Sequence, residues 1–130
     1  MSEKESGDKL YFPPYVIAGN IVYFSSIVGV KDSNLVWGGI FEETKQAVRN
    51  LQALVNEIND QAYLLWSPNT KVRIVSLQVM LKDNNDYGIY QSIFRKLFVG
   101  GNLPAESCHQ AENPFHAQIA ITAVGYAFEN

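Results

Sequence analysis

Disulfides and basic patches are both missing from this chain. It holds one cysteine among 130 residues, so no disulfide can form within a single chain. That fits a reducing compartment, and we expect a cytoplasmic protein. Ten basic and 13 acidic residues give a net charge of -3, and Lys and Arg form no cluster. Because nucleic-acid binders need such a cluster, the sequence argues against RNA or DNA as a partner.

Long hydrophobic runs are missing as well. The longest apolar stretch, residues 15–30, is interrupted by Gly19, Asn20, Ser25 and Ser26, and is too polar to span a bilayer. We therefore expect no membrane partner. Residues 1–9 are polar and lack the apolar core of a signal peptide, which predicts a flexible N-terminal tail followed by one domain over residues 10–130.

Short metal-ligand spacings are the third absence. The chain contains neither Cys-x-x-Cys nor His-x-x-x-His, and Glu106, Cys108 and His116 are too scattered to predict a metal site. We expect no metal and no cofactor. A thiol nucleophile paired with a neighbouring base is also disfavoured, because His109 follows Cys108 directly and would point to the other face of a strand.

The pattern that is present predicts an α+β domain. A composition that is 47% hydrophobic can bury one sizeable core. Residues 21–26, 72–81 and 117–128 alternate or are rich in β-branched and aromatic side chains, which predicts strands. Helical spacing starts at Phe41 and returns after residues 83–86, which supply N-cap chemistry, until Gly100 and Gly101. The first apolar stripe comprises Ala47, Val48, Leu51, Leu54, Val55 and Ile58, and the second comprises Ile89, Tyr90, Ile93, Phe94 and Leu97.

Two such helices need a common surface, and one face of a mixed sheet provides it. The other sheet face would then carry a half-polar set of side chains, which are Tyr23, Ser25, Ser76, Gln78, Met80, Gln118 and Thr122. A mixed surface of this kind is typical of contacts between subunits. The sequence therefore predicts an oligomer. Residues 63–66 form an apolar cluster that could cover either the core or a partner surface.

The segment from Leu103 to His109 is the richest in reactive side chains. A proline turn leads into a strand-like stretch, so Glu106 and Cys108 should share one face and Ser107 should point to the other.

With these elements placed, the chain resembles the Rid (YjgF) family of reactive-intermediate deaminases. The resemblance rests on five segments: Pro14-Tyr15-Val16, Gly19-Asn20 leading to Phe24-Ser25, residues 46–51, residues 82–87, and residues 104–108. It implies a chorismate-mutase-like fold that assembles as a homotrimer with a small-molecule ligand in each intersubunit cleft. It further implies substrate-binding roles for Tyr15, Ser25, Gln91, Glu106 and Ser107, and catalytic roles for Cys108 and Gln118.

Two positions depart from the family pattern in their charge. Deaminating members resemble Pro-Ala-Arg-Ser-Cys here, and the arginine grips the carboxylate of a 2-imino acid through a planar pair of hydrogen bonds. This chain has Glu106 instead. A carboxylate substrate would meet repulsion there. Gln118 stands where the family has a glutamate, and it can orient water but cannot take up a proton as a base.

Three functions follow in order of preference. The first is hydrolysis of imines or enamines other than standard 2-imino acids. The second is a non-catalytic module that senses metabolites or binds a partner protein. The third, an endoribonuclease or translation inhibitor, ranks last because the acidic chain has no basic stripe for phosphates.

Overall fold

A computed structural model describes residues 12–98 and 103–129, which form an α+β domain with a mixed sheet. The strands are β1 (Tyr15–Ala18), β2 (Ile21–Ile27), β3 (Val30–Lys31), β4 (Asn34–Leu35), β5 (Thr70–Leu81), β6 (Ala105–Gln110) and β7 (Ile119–Glu129). The helices are α1 (Gly39–Asp60), α2 (Ala62–Leu65) and α3 (Tyr87–Leu97). The predicted tail at residues 1–9 lies outside the described residues.

The five-stranded sheet has the order β1-β2-β7-β5-β6. Neighbours pair antiparallel except β5 and β6, which run parallel because α3 carries the chain back to the same end of the sheet. β3 and β4 form a separate hairpin around Asp32 and Ser33, both with positive φ, as a two-residue hairpin turn of type I′ requires.

Alternation along β5 confirms the predicted two-faced sheet. Leu77, Val79 and Leu81 are buried beneath the helices, whereas Ser76 and Gln78 are exposed on the opposite face. The buried side chains of β2, β5 and β7 join those of α1 and α3 in one core. Both predicted helices therefore pack on the same face, and the face that carries Ser76 and Gln78 is called here the open face.

The predicted stripe of the first helix is confirmed. Ala47, Val48, Leu51, Val55 and Ile58 are buried, and Leu54 packs against the core from a half-buried position. Glu43, near the start of α1, is only 4% exposed, and its Oε1 accepts a hydrogen bond of 2.8 Å from the backbone N–H of Gln118. Burial raises the pKa of the Glu43 carboxyl.

The second helix is confirmed with one exception. The Asp83 side chain accepts a hydrogen bond of 2.9 Å from the N–H of Asn85, which caps the turn that leads into α3. Tyr90, Ile93 and Phe94 are buried, but Ile89 is 42% exposed. The stripe is centred on the line from Tyr90 to Phe94, which turns Ile89 towards solvent. The predicted stop at residues 100–101 lies outside the described residues.

Close packing fixes the segment between β2 and β3 on α1. A Cβ built on Gly29 would lie 2.6 Å from the backbone oxygen of Glu43 and 2.8 Å from its Cα, so only glycine fits without a shift. Beside it, Asn50 Nδ2 donates to the carbonyls of Val28 and Val30 at 3.1 Å and 2.9 Å. Asn50, one of the residues behind the family resemblance, therefore has a structural role here.

The apolar cluster at residues 63–66 divides between two environments. Trp66 packs against the core, and its indole Nε1 donates a hydrogen bond of 2.9 Å to the carbonyl of Gly19. Tyr63 and Leu64 are 61% and 72% exposed. Of the two predicted alternatives for this cluster, Trp66 therefore covers the core and not a partner surface. Within the described ranges, no helix is long and apolar enough to cross a membrane.

Candidate functional site

The strand β6 places Glu106 and Cys108 beneath the helix layer and Ser107 on the open face. In the parallel register Glu106 pairs with Leu77 and Cys108 with Val79, both buried under the helices. Ser107 pairs with Gln78, which is exposed on the other side. The predicted division of this segment between the two faces is confirmed.

Two tyrosines hold the carboxylate of Glu106. The hydroxyl of Tyr87 donates to one carboxylate oxygen at 2.5 Å, and the hydroxyl of Tyr90 donates to the other at 2.7 Å. Gln91 Nε2 in turn donates to the Tyr87 hydroxyl at 3.2 Å. Residues three and four apart share a face of a helix, so the first turns of α3 present all three side chains to β6. We call Tyr87, Tyr90 and Glu106 the carboxylate clamp.

The clamp keeps both phenols protonated. The hydrogen bond to Glu106 is the main cause that raises the pKa of Tyr87, and burial is the main cause that raises the pKa of Tyr90, followed by its hydrogen bond to Glu106. Tyr90 is fully buried. Its hydroxyl therefore depends on Glu106 for a partner inside the protein.

A small cleft opens beside the clamp, between α3 and the start of β6. Its volume is about 120 Å³. The lining residues are Leu77, Gln91, Phe94, Arg95, Leu103, Pro104 and Glu106. One wall therefore carries a carboxylate, another a guanidinium and an amide, and the rest is apolar. A cleft with a few converging polar groups on apolar walls is the usual form of a small-molecule site.

Cys108 is a half-buried thiol next to this cleft. Burial raises its pKa, and the negative charge of Glu106 raises it further. Because the thiolate is the reactive form, this arrangement suppresses nucleophilic reactivity near neutral pH.

We expect Cys108 to react slowly with iodoacetamide at pH 7.5, several-fold more slowly than free cysteine, since a raised pKa lowers the thiolate fraction. Glu106→Gln removes the nearby charge but keeps a hydrogen-bond acceptor, so its alkylation rate should rise. Measuring the rate from pH 6.5 to 9.5 by mass spectrometry locates the titration. An unchanged curve in the variant would contradict the electrostatic coupling.

The predicted catalytic Gln118 lies apart from Cys108 within one chain. Its backbone is fixed at the entry to β7, where its N–H binds Glu43 and its carbonyl accepts from the N–H of Lys82. The residue of β7 level with Cys108 is Ile121, through the pairing of both with Val79. Three residues along the strand and two strands across separate Gln118 from Cys108 by about 14 Å.

Tyr15 and Ser25 lie on β1 and β2, near the edge of the sheet opposite β6. The Tyr15 hydroxyl donates to Glu57 on α1 at 2.8 Å, which raises the pKa of Tyr15, and Ser25 Oγ donates to the carbonyl of Pro13 at 2.6 Å. The strand order puts β1 four spacings from β6, about 19 Å. A single chain therefore brings Gln91, Glu106 and Cys108 together but leaves Tyr15, Ser25 and Gln118 elsewhere.

Ser107 lines a second, broader hollow on the open face, with a volume of about 400 Å³. Its walls comprise Tyr23, Phe24, Ser76, Leu77, Gln78, Ser107, Thr122, Ala123 and Val124. Thr122 Oγ1 and Gln78 Oε1 are 3.4 Å apart across it. This polar floor matches the half-polar face that the sequence predicts.

Sequence reasoning missed Tyr87 and Arg95 as site residues and treated Tyr90 only as part of an apolar stripe. The spacing of Tyr87, Gln91 and Arg95, each four residues apart, was the available signal, since such residues form one ridge on a helix. In the described part of the chain, no group of three or more His, Cys, Asp or Glu side chains is placed to hold a metal ion.

Comparisons with known proteins agree on the family and the fold. The family model described as Endoribonuclease L-PSP matches residues 8–126. A rat 2-iminobutanoate/2-iminopropanoate deaminase is 32% identical over 112 residues, which cover 84% of this chain and 74% of the relative. A mouse protein of the same name is 35% identical over 106 residues, 79% of this chain and 71% of the relative.

Solved structures match over nearly the whole chain. Yeast Mmf1 superposes with a TM-score of 0.74 at 23% identity, covering 92% of this chain and 89% of the other. RidA from an Antarctic Psychrobacter bacterium gives a TM-score of 0.72 at 21% identity, covering 97% and 96%. At these identities the structures support the fold alone.

Proposed function

The chain belongs to the endoribonuclease L-PSP family, the family of the Rid (YjgF) proteins, and from that premise we propose that it is a cytoplasmic, homotrimeric Rid protein that binds small molecules in clefts between subunits and hydrolyses imines or enamines other than standard 2-imino acids. The carboxylate clamp is the observation that carries this proposal. A carboxylate stands where deaminating relatives are expected to have an arginine, and two tyrosines fix it in place.

The negative charge of Glu106 determines which substrates the cleft beside the clamp can bind. A fixed carboxylate repels the carboxylate of a 2-imino acid and attracts the positive charge of a protonated imine. In the hydrolysis, water adds to the carbon of the C=N bond, the nitrogen leaves as ammonia, and a carbonyl compound remains. Glu106 would stabilise the cationic nitrogen, while Cys108 contributes backbone groups rather than a thiolate, since the pKa of its thiol is raised.

A trimer is supported by the way the candidate residues are distributed. Tyr15 and Ser25 lie near one edge of the sheet, and Glu106 and Cys108 lie on the opposite edge strand. If two copies place unlike edges side by side, one cleft receives both sets. The open face, with Ser76, Gln78 and Thr122, offers the half-polar surface that subunit contacts use.

A non-catalytic sensing or partner-binding role is the second candidate. The unreactive setting of Cys108 favours it, as does the separation of Gln118 from the cleft within one chain. An endoribonuclease role remains last, because the candidate cleft carries a fixed carboxylate and the chain is net acidic.

Ammonia release tests the proposal directly. An amino-acid oxidase supplies fresh 2-iminobutanoate, an amine oxidase supplies an aldimine without a carboxylate, and the rate above spontaneous hydrolysis is recorded. We expect the wild type to accelerate only the aldimine. Glu106→Arg should gain activity on 2-iminobutanoate, whereas Glu106→Gln, which removes the charge and keeps one acceptor oxygen, serves as the matched control.

Robust wild-type turnover of 2-iminobutanoate would contradict the proposal that Glu106 excludes 2-imino acids. Acceleration of neither substrate would favour the binding module. Sedimentation of the wild type as a monomer would remove the intersubunit cleft.

A further inference from the structure

The cleft beside the clamp carries opposite charges on two of its walls. Glu106 and Arg95 both line its space of about 120 Å³, and Gln91 lies on the same wall as Arg95. Each oxygen of Glu106 already accepts one phenolic hydrogen bond, and a carboxylate oxygen has two lone-pair sites. The carboxylate can therefore still accept from a ligand.

The charges are separated along the helix axis. Tyr87, Gln91 and Arg95 form one ridge of α3, with Glu106 bonded at the Tyr87 and Tyr90 end. At a rise of about 1.5 Å per residue, the Cα of Arg95 lies about 12 Å beyond that of Tyr87 and about 7.5 Å beyond that of Tyr90. The positive charge of Arg95 is nevertheless felt at the clamp, since it lowers the pKa of Tyr87 against the stronger effect of Glu106.

We propose that this cleft binds a compact zwitterion whose cationic nitrogen contacts Glu106 and whose carboxylate, three or more carbons away, contacts Arg95. The apolar stretch of such a ligand would lie against Leu77, Phe94 and Pro104. A 2-imino acid carries its two charges on adjacent carbons, so it spans less of the distance between the two walls than a ligand with a longer chain does. The inference rests on the proposed function and names the substrate class of the same site, as ω-amino acids or the imines derived from them.

Arg95 also has an ordinary structural reason to be present. It lies in the last turn of α3, where a cation favours the helix dipole, and Lys96 lies beside it in the same turn. Of these two cations, Arg95 lines the cleft and Lys96 does not. Lys96→Gln therefore removes a comparable helix-end charge without touching the ligand, and it is the matched control for Arg95→Gln.

Calorimetric titration of the full chain tests the inference with five probes of matched size. These are 4-aminobutanoate, 5-aminopentanoate, 2-aminobutanoate, butylamine and butanoate. We expect one of the two ω-amino acids to bind at least tenfold more tightly than each of the other three probes. Arg95→Gln should reduce its affinity to that of butylamine, Glu106→Gln should reduce it to that of butanoate, and Lys96→Gln should leave it unchanged.

Equal binding of 2-aminobutanoate or of a singly charged probe would overturn the two-charge site, as would binding of none of the five. An equal loss in Lys96→Gln would assign Arg95 to the helix end alone. The ammonia assay and the titration can fail independently. If an ω-amino acid binds but no imine is hydrolysed, the enzyme proposal is wrong and the binding site stands. If an imine is hydrolysed but no ω-amino acid binds, only the zwitterion proposal is wrong.

Discussion

Replacing Gly29 with alanine should destabilise the fold by about 3 kcal/mol, because a Cβ there would overlap the backbone of α1. The contact is with the carbonyl oxygen and Cα of Glu43, and neither can rotate away as a side chain can. Relief requires the segment between β2 and β3 to move off the helix, which breaks the two hydrogen bonds from Asn50 to Val28 and Val30. Urea denaturation measures the loss as a lower midpoint at an unchanged slope.

Gly88→Ala is the matched control, with the opposite expected sign. Gly88 lies in the first turn of α3, and an added Cβ meets nothing within 4 Å. Alanine should therefore stabilise the helix by about 0.5–1 kcal/mol. If both alanine variants shifted the midpoint in the same direction, the close approach at Gly29 would not be the cause.

Removing the carboxylate of Glu106 should cost about 2 kcal/mol, because Tyr90 would keep a buried hydroxyl without its partner. The test is a double-mutant cycle. Glu106→Ala and Tyr90→Phe are each expected to destabilise the protein, and the double variant should lose about 1–2 kcal/mol less than the sum, since it leaves no fully buried hydroxyl without a partner.

A second cycle, with Tyr87→Phe in place of Tyr90→Phe, provides the comparison. Tyr87 is only half-buried, so water can replace Glu106 at its hydroxyl and the coupling should be smaller. Equal coupling in both cycles would mean that burial of Tyr90 does not set the energy. Additive losses with Tyr90 would show that the clamp contributes no coupling to stability.

Local patterns predicted the elements of this fold because each element has its own periodicity. The stripe of α1 and the alternation of β5 can be read from neighbours within a few residues, and so can the division of Glu106 and Ser107 between faces. The exposure of Ile89 could not, since the rotation of α3 depends on how Tyr90 and Phe94 pack on the sheet. Tertiary packing overrides a local pattern in such cases.

The site was less predictable than the fold because it depends on pairings between distant segments. Glu106 lies 16 residues from Tyr90 and 19 from Tyr87, and no local rule joins a glutamate to two tyrosines of a preceding helix. The burial of Glu43 has the same origin, a contact with Gln118 across 75 residues. The separation of Tyr15 from Glu106 follows from strand order, which local periodicity does not encode.

The two edges of the sheet also bear on how the protein avoids aggregation. β1 starts directly after Pro13 and Pro14, and β6 starts directly after Pro104. Proline has no N–H to offer, so a foreign strand cannot continue either ladder past these points. Each edge therefore exposes only four or six residues, and those of β6 include the charged Glu106. Unlimited growth of the sheet by addition of strands at its edges is therefore disfavoured, whereas these short edges do not prevent a closed assembly of a few copies.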